Sequence, residues 1–144
     1  MQLPASHSSL FRIWPLLALG GAVLAAAGGL WVLRNFDPAA PGSLFPQCLF
    51  RAFTGWHCIS CGLTRALHAL AHGEVARAFS LNPLAMALLA LSPLLAAWRL
   101  GWKPAVLAPL VKVLAEPKFW LFLLPGYWIA RNLPWFPFTL LAPG

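Results

Sequence analysis

The chain has 144 residues, 60% of them hydrophobic and 9% charged, with a mean hydropathy of +0.75, whereas soluble domains carry roughly a quarter charged residues. This excludes an ordinary soluble domain and predicts an all-α, polytopic integral membrane protein in which residues 1–144 form one membrane domain. The net charge of +7, from ten Lys and Arg against three acids, is scattered singly beside apolar runs, which argues against a nucleic-acid partner and for the anionic lipid of a bilayer.

The first apolar segment, residues 11–33, "FRIWPLLALGGAVLAAAGGLWVL", is long enough to cross a bilayer, with Trp14 and Trp31 as interfacial anchors near its ends. A cleavable signal peptide competes, since Arg12 precedes the run and Ala25, Ala26 and Ala27 are small. The run outlasts a normal signal core and closes on Arg34, so retention is expected. Gly20-Gly21 and Gly28-Gly29 would let this span pack closely on another helix, either of this chain, of a membrane partner or of a second copy.

A long loop follows. "RNFDPAAPGSLFPQC" is an irregular Pro/Gly stretch in which Asp37 and Ser43 can cap turns. Beyond Gly55 a helical period emerges, and the Cys/His loop with its interfacial helix is expected over residues 47–81. Cys61, Arg65, His68 and His72 recur at spacings that put them on one face of a helix, with Leu63, Leu67 and Leu70 opposite. Gly73 is expected to end that helix, and "EVARAF" to begin a second short turn. Both pieces are too short to cross a bilayer and suit the interface or a cavity between spans.

The second span, 83–99, begins at "NPLAMALLALSPLLAAW", where Asn82 suits an N-cap and Pro83 the first helical position; Pro93 is expected to kink it. After it, Lys112, Glu116 and Pro117 interrupt the pattern, so "VLAPLVKVLA" reads as interfacial or re-entrant. A third span, 117–131, is short for a bilayer; Trp120, Trp128 and Trp135 mark its ends and Arg131, Asn132 and Pro134 stop it. "WFPFTLLAPG" is left as a lipid-associated tail.

Three spans put the amino terminus and the loop after Trp98 on one side, and the Cys/His loop with the carboxyl end on the other. Arg99, Lys103, Lys112 and Lys118 crowd one short connection, which favours an inside amino terminus and a Cys/His loop on the outer, oxidising face of a bacterial inner membrane.

The chemistry is concentrated in that loop. One reading gives the polar stripe to lipid headgroups. The other starts from Cys58 and Cys61, a Cys-x-x-Cys pair at a helix start with Cys48 nearby. A thiol at a helix N-terminus beside an arginine is a better nucleophile, the basis of dithiol redox chemistry. Cys-x-x-Cys-Gly also resembles half of a zinc knuckle, and Cys58 and Cys61 with His68 and His72, or with Cys48 in place of one histidine, would complete a four-ligand set. A structural or redox disulfide is preferred to metal, because one helix cannot wrap Cys61 and His72, about three turns apart, around one ion. Candidate catalytic groups are therefore Cys58, Cys61, Arg65 and His72, and zinc is the one cofactor the residue types suggest.

Haem attachment is disfavoured because Gly62 follows the pair where His is required. Asp37, Glu74 and Glu116 form no acid/base pair, and there is no phosphate loop, serine elbow or helical His-Glu-x-x-His.

"FTGWHCISCGLTRALHALAHGEVARAFSLNPLA" resembles the signature of a DUF2752-like family of small bacterial membrane proteins, with its upstream Cys, Cys-Pro-x-Cys-Gly-x-Thr-Arg-Ala, a His-Gly-acid turn and Asn-Pro-Leu. By position the resemblance carries over to Cys48, Cys58, Cys61, Gly62, Thr64, Arg65, His72, Gly73, Asn82, Pro83, Arg131, Asn132 and Pro134. Ile59 and Ser60 depart from the family's Pro and small residue, and Leu49 stands where Pro is common. The resemblance implies class and location, and no established activity. The expectation is a non-enzymatic membrane component with Cys58 and Cys61 stapled and Arg65 and Arg131 on headgroups or a partner. A thiol-disulfide oxidoreductase or zinc-binding protein using His68 or His72 is the alternative.

Overall fold

A computed structural model describes residues 7–43 and 45–143, with side chains from Ile13 onward; the Arg12 side chain, read above as a flank, lies outside that set. Among the described residues the chain is all helical, with seven α-helices and two short 3₁₀ turns. α1 is His7–Asn35 and places Arg34 in its last turn, against the negative end of the helix dipole. It is the one described helix long and apolar enough to cross a membrane, over Ile13–Asn35.

The other two expected spans coincide with helices, but short ones. α5, Pro83–Arg99, runs through Pro93 for 17 residues, and α7, Pro117–Ala130, for 14. At 1.5 Å per residue they reach about 25 and 21 Å, less than the roughly 30 Å of a hydrocarbon core. Three spans is therefore more than length and composition support; the apolar runs are cut by Asn82 and Pro83, by Leu100 and Gly101, and by Glu116 and Pro117. The segment before α7, expected at the interface, is a 3₁₀ turn, Ala105–Leu107, followed by α6, Ala108–Ala115.

Between α1 and α5 lie α2 (Leu49–Thr54), α3 (Leu63–Ala71) and α4 (Val75–Leu81). The helix expected from Cys61 starts later. Gly62 caps it at φ +80°, a left-handed conformation that ends any continuous helix through that point, so Cys61 belongs to the turn before α3. At the other end Gly73 (φ +81°) donates to Leu70 O and Glu74 to Ala69 O, a Schellman closure that reverses the chain into α4.

The core sits where α3, α4 and α5 meet. Its fully buried members are Ala66, Ala69, Ala78, Leu81 and Met86, with Leu63, Leu67 and Leu70 partly buried around them. The expected leucine face is thus displaced to an alanine seam, because two short helices joined by a tight turn can approach closely only through small side chains. α1 joins this unit near its carboxyl end: Arg34 Nε donates to Ala71 O (3.1 Å), and His68 Nδ1 lies 2.6 Å from Leu33 O.

Candidate metal centre

Cys48 immediately precedes α2, which closes on Gly55 at φ +76°. That turn brings the chain back so that Cys58 Sγ lies 3.3 Å from Cys48 Sγ and 3.2 Å from Cys61 Sγ. All three sulfurs lie within 4.8 Å of one another, and no His, Asp or Glu joins the group among the described residues. Cys58 and Cys61, expected as a disulfide, are free thiols here, well beyond the roughly 2.05 Å of an S–S bond.

The backbone of this loop is polarised. Its amides turn towards sulfur: Cys58 N donates to Cys61 Sγ (3.2 Å), and the Ser60 amide and hydroxyl bond to Cys58 Sγ. Its carbonyls turn towards α7 and Asn82. Arg131, 1% exposed, donates from Nη1 to Cys58 O (3.3 Å) and Ile59 O (2.8 Å), and from Nη2 to Cys61 O (3.0 Å) and Leu81 O (3.5 Å). Asn82 Nδ2 donates to Ile59 O and Cys61 O while its Oδ1 caps α5 through Ala85 N. Peptide dipoles held this way present their positive ends to the thiols and their negative ends to a guanidinium, which stabilises thiolate.

Asn132 and Trp128 fix the next residue upstream. Asn132 accepts from His57 N (2.7 Å) and donates to His57 O (2.9 Å), which Trp128 Nε1 also reaches (2.9 Å). The carboxyl tail closes the other side: a Cβ at Gly62 would lie 2.6 Å from Leu81 O and 2.9 Å from Pro143 Cβ. Pro143 is buried, so this part of the tail packs on the cysteine loop, while Trp135, Phe136 and Leu140 before it are exposed.

The electrostatics separate the two cysteines of the pair. Burial alone would raise the Cys58 thiol, but hydrogen bonding with Ser60, Cys61 and Cys48 outweighs it and brings the pKa to about 7. Burial, with the hydrogen bonds to Cys58 and Cys48, pushes Cys61 up to about 12. The two thiols, in contact at 3.2 Å, are thus shifted in opposite directions. His57 is held below its ordinary value, first by burial and then by Arg51, Arg131 and Arg65.

The predicted residues divide between two places. Cys48, Cys58, Cys61, Gly62, Thr64 and Arg65 line one cavity of about 690 Å³, and Asn82, Arg131 and Asn132 brace its back wall. His68 and His72 are elsewhere, stacked at 4.4 Å on α3, with His72 Nδ1 on His68 O (2.9 Å). Pro83 opens α5, Gly73 closes α3, and Pro134 follows α7 beside a smaller cavity with His57 and Arg131. Arg131, expected at headgroups or a partner, is buried in the chain itself. Trp128 and Tyr127 were not singled out as site residues, yet Trp128 clamps His57 and the Tyr127 ring lies 5.3 Å from the Arg131 guanidinium.

The fold and site define a class of protein: three thiols close together, with backbone amides behind them, in a helical chain that carries one long apolar helix. Residues 48–100 match the family model described as "Protein of unknown function (DUF2752)". The match bears out the DUF2752-like resemblance over the segment that holds all three cysteines and Asn82, and stops short of α7. No curated protein and no solved structure matches the chain.

Proposed function

We propose that the chain is a multi-pass protein of a bacterial inner membrane whose first loop carries a three-thiolate zinc centre made by Cys48, Cys58 and Cys61. The observation that supports it is the convergence of the three sulfurs within 4.8 Å. A tetrahedral ion with Zn–S bonds of about 2.3 Å needs sulfurs about 3.8 Å apart, close to the spacing here. The polarised loop supplies what a zinc knuckle supplies, amides facing thiolate and a glycine, Gly62, at the turn. Arg131 and Asn82 do the bracing that the family's proline would otherwise share. The centre is a structural or binding element, and a bound ion would also protect thiols on an oxidising face.

The membrane part of the reading rests on composition, on α1, and on the apolar runs of α5 and α7. The amino terminus is inside and the cysteine loop outside, as the crowding of Lys and Arg after α5 favours.

Metal analysis of the full chain purified from membranes without chelator tests it. About one zinc per chain is expected, lost in Cys48→Ser and in Cys61→Ser. A metal-free protein whose Cys58 and Cys61 are joined before reduction would replace the zinc centre by the staple. A second reading, a dithiol redox pair, is favoured by one observation, the thiolate-prone Cys58 beside a protonated Cys61. It predicts a reversible Cys58–Cys61 disulfide and no metal.

A further inference from the structure

A zinc ion held by three protein sulfurs is one ligand short of its usual four. On the zinc reading above, on which this inference rests, the fourth has to come from somewhere. The chain has no further cysteine, and among the described residues no His nitrogen or carboxylate oxygen joins the three sulfurs. Asp37 Oδ1 accepts from Ala39 N (2.7 Å), and Glu74 is paired with Arg77 (2.9 Å). An open fourth position is the arrangement of zinc sites that bind an outside ligand.

The cavity says what kind of ligand. Its polar walls besides the three cysteines are Gln47, Arg51, Ser60, Thr64 and Arg65, and no acidic side chain lines it among the described residues. Two arginine side chains thus share the cavity wall with the three sulfurs. Guanidinium groups also favour a particular anion, since their forked N–H donors fit the oxygens of carboxylate and phosphate groups. We propose that the fourth metal position opens into this cavity and takes one oxygen of an exogenous oxyanion, a carboxylate or a phosphate, whose other oxygens are met by Arg51 and Arg65.

Cobalt exchanged into the full chain in detergent tests both levels separately. Sulfur-to-cobalt charge-transfer absorption reports the three thiolates, and the visible ligand-field bands report the fourth ligand. Charge-transfer bands are expected, with ligand-field bands that shift saturably on titration with acetate or with inorganic phosphate, the two probes telling carboxylate from phosphate. Arg51→Ala and Arg65→Ala should keep the charge-transfer bands and weaken the titrated anion by at least about tenfold, as loss of a charge-assisted hydrogen bond does. If either alanine variant fails to fold, Arg51→Lys and Arg65→Lys, which keep charge but lose the fork, should weaken it in the same direction. Intact charge-transfer bands with ligand-field bands indifferent to both anions would overturn the oxyanion and leave the zinc centre standing. So would a response to an added thiol alone, or an anion response unaltered in every arginine variant. Absence of charge-transfer bands removes the zinc centre and this inference together.

Discussion

Cys58 and Cys61 are identical in type and three positions apart, yet their surroundings drive them to opposite behaviour. Cys58 is in hydrogen-bond contact with the Ser60 amide and hydroxyl and with both neighbouring thiols, whereas Cys61 is the more deeply buried of the two. In the metal-free protein this gives a definite pH dependence. Because the Cys58 pKa is lowered on folding, its contribution to stability is present above the ordinary thiol pKa and is lost as pH falls through about 7. Because the Cys61 pKa is raised, its contribution is present below the ordinary value and is lost as pH rises towards about 12. Alkylation of the chelator-treated protein, followed for each cysteine by mass, should give a Cys58 rate with a midpoint near 7 and a Cys61 that stays slow through the mildly alkaline range. Two cysteines rising together at the ordinary thiol pKa would refute the asymmetry. The cysteines were legible as a site because three of them fall in a short segment of a chain nearly devoid of charge. Arg131 was not legible in its role: an arginine after an apolar run reads as a membrane anchor, and only the return of α7 onto the Cys58–Cys61 carbonyls turns it into a brace.

At the scale of elements, the junctions carried more information than the periods. Asn82 and Pro83 mark the start of α5 because cap chemistry is local, an Oδ1 accepting from an amide three residues on. The start of α3 was read too early because a hundred-degree period through Cys61, Arg65, His68 and His72 takes no account of a glycine at positive φ. The same glycine is where three elements meet: the cysteine turn before α3, the end of α4 at Leu81 and the returning tail at Pro143. Gly62→Ala therefore acts twice. It places an L side chain at φ +80°, a cost of about 1–3 kcal/mol, and it drives a Cβ to within 2.6 Å of a backbone oxygen that Arg131 is also holding. The variant should lose most of its folded yield, and what remains should melt lower and retain less metal. Gly42→Ala is the control, since its φ of +75° imposes similar backbone strain while nothing lies within 4 Å of the added methyl. Equal losses in the two variants would mean that the close approach at Gly62 contributes nothing.

For the whole molecule, hydropathy identified an apolar chain and left open how many times it crosses. Length decides more than composition here, because α1 is long enough to span a hydrocarbon core unaided whereas α5 and α7 fall short by several ångströms. A short span is tolerated when interfacial side chains reach outward or the bilayer thins, each at modest cost. Exposed Leu100 and Trp102 beyond α5, and Trp135 and Phe136 beyond α7, could extend the apolar length of both. If α5 crosses, the two connections at its ends lie on opposite sides, and reporters in them must differ. Ala40→Cys and Gly101→Cys, placed in the loops before α2 and after α5, separate the cases under a membrane-impermeant thiol reagent in intact spheroplasts, with each site resolved by mass from the native cysteines. The three-span arrangement with an inside amino terminus predicts labelling at Ala40→Cys directly and at Gly101→Cys only after permeabilisation. The mirror pattern would keep the spans and reverse the orientation, moving the thiol centre to the reducing side, where the three thiols need no metal to stay reduced. Labelling of both from one side would leave α1 as the membrane anchor and make α5 the floor of a thiol domain lying on the bilayer surface, because Asn82 and Arg131 tie both short helices to the same cysteine loop.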